Sequence, residues 1–154
     1  MKKALFGFFT LVGVLFLASC GTGASTQEDT KTFTLAQNGV AMELVFHYDG
    51  DKVIRQTANN VMPYEAIGVA TKEEAQELLD PVAKQYQQVQ GLDYSLEYSD
   101  SEAIESLTIN YDELDYDSAK QLPGVNFEGD TDNGISMERT EEMLLDQGYE
   151  LKEE

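Results

Sequence analysis

From residue 32 onward, apolar and polar positions alternate with a period of two, the pattern of strands with one buried face. Phe33 and Leu35 alternate with threonine and alanine up to Asn38-Gly39, a dipeptide favoured in two-residue hairpins. Val40 to Tyr48 follows, with Met42, Leu44, Phe46 and Tyr48 on one face and Ala41, Glu43, Val45 and His47 on the other. Asp49-Gly50 predicts a second hairpin and Lys52 to Asn59 a third strand, so this half reads as an antiparallel meander. The period then lengthens to that of a helix over Thr71 to Val89, where Ala75, Leu78, Leu79, Val82, Tyr86 and Val89 form a stripe. Thr71 and Glu74 fit a capping box at its start. Pro81 predicts either a kink or a second helix capped by Asp80, and Gly91 ends the element.

Strict alternation returns at Leu92 to Ser99, with Asp93, Ser95, Glu97 and Ser99 facing outward. Ser99-Asp100-Ser101 reads as a turn into a strand over Glu105 to Tyr111. Asp117 fits the cap of a brief helix over Ser118 to Leu122, before the break at Pro123-Gly124. Ser136 fits the cap of a last helix whose apolar side is Met137, Thr140, Leu144 and Leu145, with Gly148 as its stop. Strands and helices are segregated along the chain instead of alternating. That predicts the α+β class: an antiparallel sheet with helices packed on one face.

The first twenty residues follow another rule. Lys2 and Lys3 precede an uncharged apolar run from Ala4 to Leu17. A spanning helix needs about 20 apolar residues, so this run suits a signal peptide better than a membrane span. Ala18 and Ser19 are small, and Cys20 is the only cysteine of the chain. Leu17-Ala18-Ser19-Cys20 resembles the lipobox of bacterial lipoproteins. There the cysteine sulfur is diacylated and the peptide before it is removed. The resemblance implies a cleaved signal over residues 1–19, lipidation at Cys20 and attachment to the outer, extracytoplasmic face of the cell membrane. Two acyl chains anchor a protein stably without any spanning segment. Residues 20–31 then comprise the lipidated cysteine and a polar tether, and residues 32–154 a single α+β domain. The eleven tether residues from Gly21 to Lys31 would reach roughly 36–40 Å when extended.

Charge narrows the partners. With 10 basic and 29 acidic residues the net charge is −19, and loss of Lys2 and Lys3 with the leader takes it to −21. This argues against nucleic acid and against adsorption to anionic headgroups. A single cysteine leaves no intramolecular disulfide, so the core alone must hold the domain. The expected partners are the membrane, through the lipid, and a protein or small-molecule partner in the envelope.

A resemblance also runs through the domain. Gly50-Asp51-Lys52-Val53, Ile67-Gly68 with Thr71-Lys72-Glu73, Leu79 with Pro81 and Lys84-Gln85-Tyr86, Pro123-Gly124-Val125-Asn126, Gly134-Ile135-Ser136-Met137 and Gly148-Tyr149 occur in this order. In this the chain is similar to the YehR-like family of bacterial lipoproteins, over about residues 32 to 152. The resemblance implies a two-layer α+β sandwich on a lipid anchor, and it supplies no catalytic residues.

The candidate chemistry is sparse. His47 is the only histidine and has no neighbouring ligand at zinc spacing. No serine sits in a nucleophile elbow, and no Gly-rich phosphate loop follows a strand. Asp130-Thr131-Asp132-Asn133-Gly134 resembles part of a calcium loop, with Glu141 twelfth from Asp130 where a bidentate ligand belongs. Its glycine stands fifth instead of sixth, and a polar turn into Ser136 explains the same residues. Asp112, Glu113, Asp115 and Asp117 form a second acidic cluster that reads as a solvated loop. No cofactor is implied. The expectation is a non-enzymatic lipoprotein that binds an unidentified ligand or envelope partner, with calcium at Asp130, Asp132 and Glu141 as the alternative.

Overall fold

Two short turns fold the first half of the chain onto itself. In the computed structural model, which describes residues 28–123, 125 and 134–153, Asn38 and Gly39 take φ values of 54° and 87°. Both residues of a type I′ hairpin need positive φ, which is why Asn-Gly stands here. The turn joins β1 (Asp29–Gln37) to β2 (Val40–Asp49), paired from Asp29↔Tyr48 to Gln37↔Val40. β1 thus starts at Asp29, earlier than the Thr32 expected from its alternation. The second turn is Gly50-Asp51, one residue later than expected, with φ 62° at Gly50 and Asp49 paired to Lys52. A lone positive φ at the first turn position follows the Gly-first hairpin pattern.

β3 (Lys52–Pro63) runs longer than predicted and is central. It pairs with β2 on one side and with β5 (Glu102–Asn110) on the other, and β4 (Leu92–Tyr98) closes the far edge. Two strands of two residues complete the sheet: β6 (Ile135–Ser136) on β3 and β7 (Glu150–Leu151) on β1. The order is β4-β5-β3-β2-β1-β7, and every pairing is antiparallel. A bulge between His47 and Tyr48 shifts the register so that Tyr48 meets Val53 while His47 meets Arg55. That extra residue turns Val53 inward, where it is fully buried.

α1 (Lys72–Tyr86) is one continuous helix with Pro81 inside it, neither ended nor replaced by a second helix. Asp80 caps nothing. Its carboxylate accepts a hydrogen bond from the Tyr98 hydroxyl of β4 at 2.7 Å. Thr71 accepts from the Glu74 N–H as a cap should, but the Glu74 side chain accepts from the Ala70 N–H, one residue before the cap. Leu78, expected in the buried stripe, is 49 % exposed. At 100° per residue it lies about 80° from the line through Leu79, Val82 and Tyr86. Leu145 is exposed for a similar reason, beside the buried Leu144.

The short helix α2 (Tyr116–Ala119) begins two residues before its predicted start. Asp115, not Asp117, caps it, accepting from the Ser118 N–H at 3.2 Å and the Ser118 hydroxyl at 2.6 Å. α3 (Met137–Asp146) is capped by Ser136 as predicted, through the Arg139 N–H. The turn before β3 adds a second cap. Asp51 accepts from the Met137 N–H through its carbonyl at 2.7 Å and from the Glu138 N–H through its carboxylate at 2.8 Å.

One face of the sheet carries the core. Phe33, Leu44, Phe46, Ala58, Tyr94 and Ile109 pack with Ala83 and Tyr86 of α1 and with Met137 and Leu144 of α3. Phe33 and Phe46 meet edge to face at 5.8 Å, the arrangement their ring quadrupoles favour. A smaller apolar cluster of Tyr64, Ala75 and Ala103 closes the end near the 3₁₀ turn Tyr64–Ile67. The result is an α+β protein built on a seven-stranded antiparallel sheet.

Candidate functional site

Strand register decides what the other face presents. At one level Glu150, Thr34, Glu43, Asn59, Ser106 and Ser95 stand in line across six strands, each paired with the next. The next level along the strands is Ala36, Ala41, Val61 and Ile104. A polar row thus borders an apolar one. Between them lies a trough of about 570 Å³, lined by Thr34, Ala36, Ala41, Glu43, Asn59 and Val61 and reaching Gly148 and Glu150 beyond the β1 edge.

Small side chains make the depression. Alanine and threonine at three of those positions, Thr34, Ala36 and Ala41, leave space that larger residues would fill. Asn59 is held in place by the Ser106 hydroxyl, which donates to its Oδ1 at 3.0 Å. Glu43 accepts from the Lys152 ammonium at 3.4 Å. Adjacent strands stand about 4.8 Å apart, so Glu150 and Glu43, on either side of Thr34, are roughly 10 Å apart at their backbones.

Those residues singled out from the sequence that the structure describes lie elsewhere. Cys20, Asp130 and Asp132 lie outside the described residues. Glu141 forms an ion pair with Lys31, whose ammonium also stands 5.7 Å from the Tyr48 ring centre. The bond to Glu141 raises the Lys31 pKa. Asp112 pairs with Lys52 at 2.6 Å, and Asp115 is the α2 cap, its carboxyl acidified first by the Ser118 hydroxyl. These acidic residues are engaged in holding the fold. Among the described residues no three His, Cys, Asp or Glu side chains gather as a metal site.

His47 lies, as expected, opposite the Met42/Leu44/Phe46 face. Both ring nitrogens are 3.3 Å from Nη2 of Arg55, and Nδ1 is 3.8 Å from Glu28. Burial and then the Arg55 charge lower its pKa, so the neutral ring that accepts from Arg55 is favoured.

A polar cluster also interrupts the core face. Glu105 accepts from the Tyr94 hydroxyl at 2.6 Å and from the Asn60 amide. Tyr94 stacks at 4.9 Å on Tyr86, whose hydroxyl donates to the Pro123 carbonyl at 2.5 Å. Burial, followed by the bond to Glu105, raises the Tyr94 pKa. The cluster ties β3, β4, β5 and α1 together.

This combination of meander, long helix and terminal helix–strand return defines a class of α+β domain. The chain belongs to the family described as protein of unknown function (DUF1307), whose model matches residues 29–150. It is 41% identical over 149 residues to the uncharacterized lipoprotein Lmo0207 of Listeria monocytogenes, covering 97% of this chain and 95% of that one. It is 30% identical over 148 residues to the uncharacterized lipoprotein YehR of Escherichia coli K12, covering 96% and 97%. The NMR structure of E. coli YehR aligns with a TM-score of 0.73 at 29% identity, covering 82% of this chain and 92% of that one. The YehR-like resemblance read from the residue blocks is therefore correct.

The trough was not foreseen. Alternation alone had grouped Ala41, Glu43, Val45 and His47 on one face, but joining them to Thr34, Asn59 and Glu150 requires the register of four strands.

Proposed function

We propose that the protein is a lipoprotein anchored through Cys20 to the outer face of the membrane, carrying a non-enzymatic binding domain. The observation that carries this is the lone cysteine directly after Leu17-Ala18-Ser19, in a chain whose lipoprotein-named relatives align over 96% and 97% of it. Residues 1–19 are the cleaved signal, residues 20–28 hold the lipid and lead into β1, and the domain fills the remainder in two layers, sheet and helices. No helix among the described residues is long and apolar enough to cross a membrane. The open sheet face is the binding face, because the helices occupy the other.

The test is fractionation with mass spectrometry of the N-terminal peptide. The wild-type chain is expected in the membrane fraction with a diacylglyceryl mass on Cys20, and Cys20→Ser in the soluble fraction. A membrane-bound Cys20→Ser chain, or an unmodified cysteine, overturns the reading.

A further inference from the structure

We propose that the trough on the open sheet face recognises a lysine side chain presented by a basic peptide segment of a partner protein. This rests on the binding-lipoprotein reading above and assigns its site. Three observations carry it.

The first is the pairing of the two rows. Ala36, Ala41 and Val61 offer an apolar floor for a methylene stem, while Glu43 and Glu150 place carboxylates where its ammonium would end. Lysine buries its stem and keeps its charge at a polar rim in this manner. The second is that the rim already holds an ammonium, since Lys152 sits 3.4 Å from Glu43. Glu150, across Thr34, has no ion-pair or hydrogen-bond partner for its side chain among the described residues. One carboxylate is thus half engaged and the other free.

The third observation is direction. β1 starts at Asp29, just after the tether, and runs toward the Asn38-Gly39 turn. At about 3.4 Å per residue, Thr34 to Ala36 lie roughly 17–24 Å along the strand from the tethered end. The trough therefore lies toward the end of β1 remote from the tether junction. A second copy of the chain is a poor occupant, because the net charge of −21 left on each once Lys2 and Lys3 are removed repels the other.

The experiment uses the full chain in detergent micelles, with alanine and valine methyls labelled with carbon-13, at 0.15 M salt where weak surface attraction is screened. The probe is acetyl-Lys-Ala-Lys-Ala-Lys-amide, with a norleucine-for-lysine version as the neutral control. The expected result is saturable shifts at Ala36, Ala41 and Val61 with the lysine peptide and none with the control. Glu43→Gln with Glu150→Gln should weaken binding by about tenfold or more, while Glu73→Gln with Glu77→Gln on α1 removes the same charge and changes it by less than about twofold. Shifts spread over the acidic surface, or equal loss in both double variants, reduce the effect to general charge and overturn the proposal. So do silent trough methyls. Because the titration does not depend on lipidation, a silent trough in a chain that fractionates with membranes sinks this site alone.

Discussion

The two faces of this sheet are made from the same strands and the same alternating pattern, yet they do opposite work. On the covered face, Phe33, Leu44, Phe46 and Ala58 are sealed beneath α1 and α3. On the open face, one residue along each strand, Thr34, Glu43, Val45 and Asn59 meet solvent or the trough. Alternation separates two sets of side chains without saying which set is covered. The open face carries Val45, Val61 and Ile104, and the covered face carries Gln56, Asn60 and Glu105. What decides the matter is volume: the Phe33, Phe46 and Tyr94 rings lie on the covered side, and the helices go where those rings are. The comparison is sharpest at neighbouring residues. Phe33→Ala should cost about 3–5 kcal/mol in urea unfolding, since it removes a fully buried ring and leaves a cavity at the centre of the core. A loss below about 1 kcal/mol would mean that the two faces are less different than their burial states.

Gly91 joins α1 to the covered layer and offers the next largest effect. It holds φ at 85°, and a Cβ there would stand 2.6 Å from the Leu114 backbone. Gly91→Ala therefore meets both a left-handed conformation and a clash with main chain, and should cost at least about 2 kcal/mol. Gly50 has φ 62° with nothing within 4 Å, so Gly50→Ala carries only the conformational cost of about 1–2 kcal/mol. Equal losses in the two variants would show that the contact with Leu114 is not what matters.

Polar residues inside the covered layer give a third test. Tyr94→Phe removes a donor to Glu105 and should cost about 1–3 kcal/mol, leaving a part-buried carboxylate with one bond fewer. The same layer sets the alkaline limit. Burial raises the pKa values of Tyr86, Tyr94, Tyr98 and Tyr111 above the ordinary 10.0, with Glu105 assisting at Tyr94 and Asp80 at Tyr98. The folded chain keeps protons that the unfolded chain releases. Stability is thus whole below pH 10 and falls as pH climbs through 10 toward the folded values. Absorbance at 295 nm should show tyrosinate lagging in the folded chain and appearing with unfolding. Full ionisation near pH 10 with retained structure would contradict the burial of these hydroxyls.

Much of the fold was legible, for physical reasons that particular residues make plain. The meander could be read because Asn38-Gly39 and the Phe33/Leu35 and Met42/Leu44/Phe46 sets are local signals. α1 could be read because its stripe extends over four turns. β6 and β7 could not, since two residues have no period and their pairing is decided by α3 docking between them. The α2 cap was misplaced because Asp115 and Asp117 are equal candidates until the chain direction is known. Asp51 gave no sign that it caps a helix by accepting from an N–H 87 residues later, because that contact exists only after the sheet forms. The trough belongs to the same category. Its residues come from four strands, and only register aligns Glu150, Thr34, Glu43 and Asn59.

The smallest expected effect bears most directly on the open face. Thr34→Ala sits one residue from Phe33, yet it should change stability by less than about 0.5 kcal/mol, as surface substitutions away from special features do. Its hydroxyl lies in the polar row between Glu43 and Glu150, so its removal leaves both carboxylates in place and deepens the trough. The pair of neighbours separates the two roles of one strand. Phe33→Ala should lower stability and, through it, everything else. Thr34→Ala should leave the urea midpoint where it was and alter only the methyl signals of Ala36, Ala41 and Val61. If Thr34→Ala lowered the midpoint as steeply as Phe33→Ala, the open face would be a second core, and a binding role would have to be sought elsewhere on the molecule.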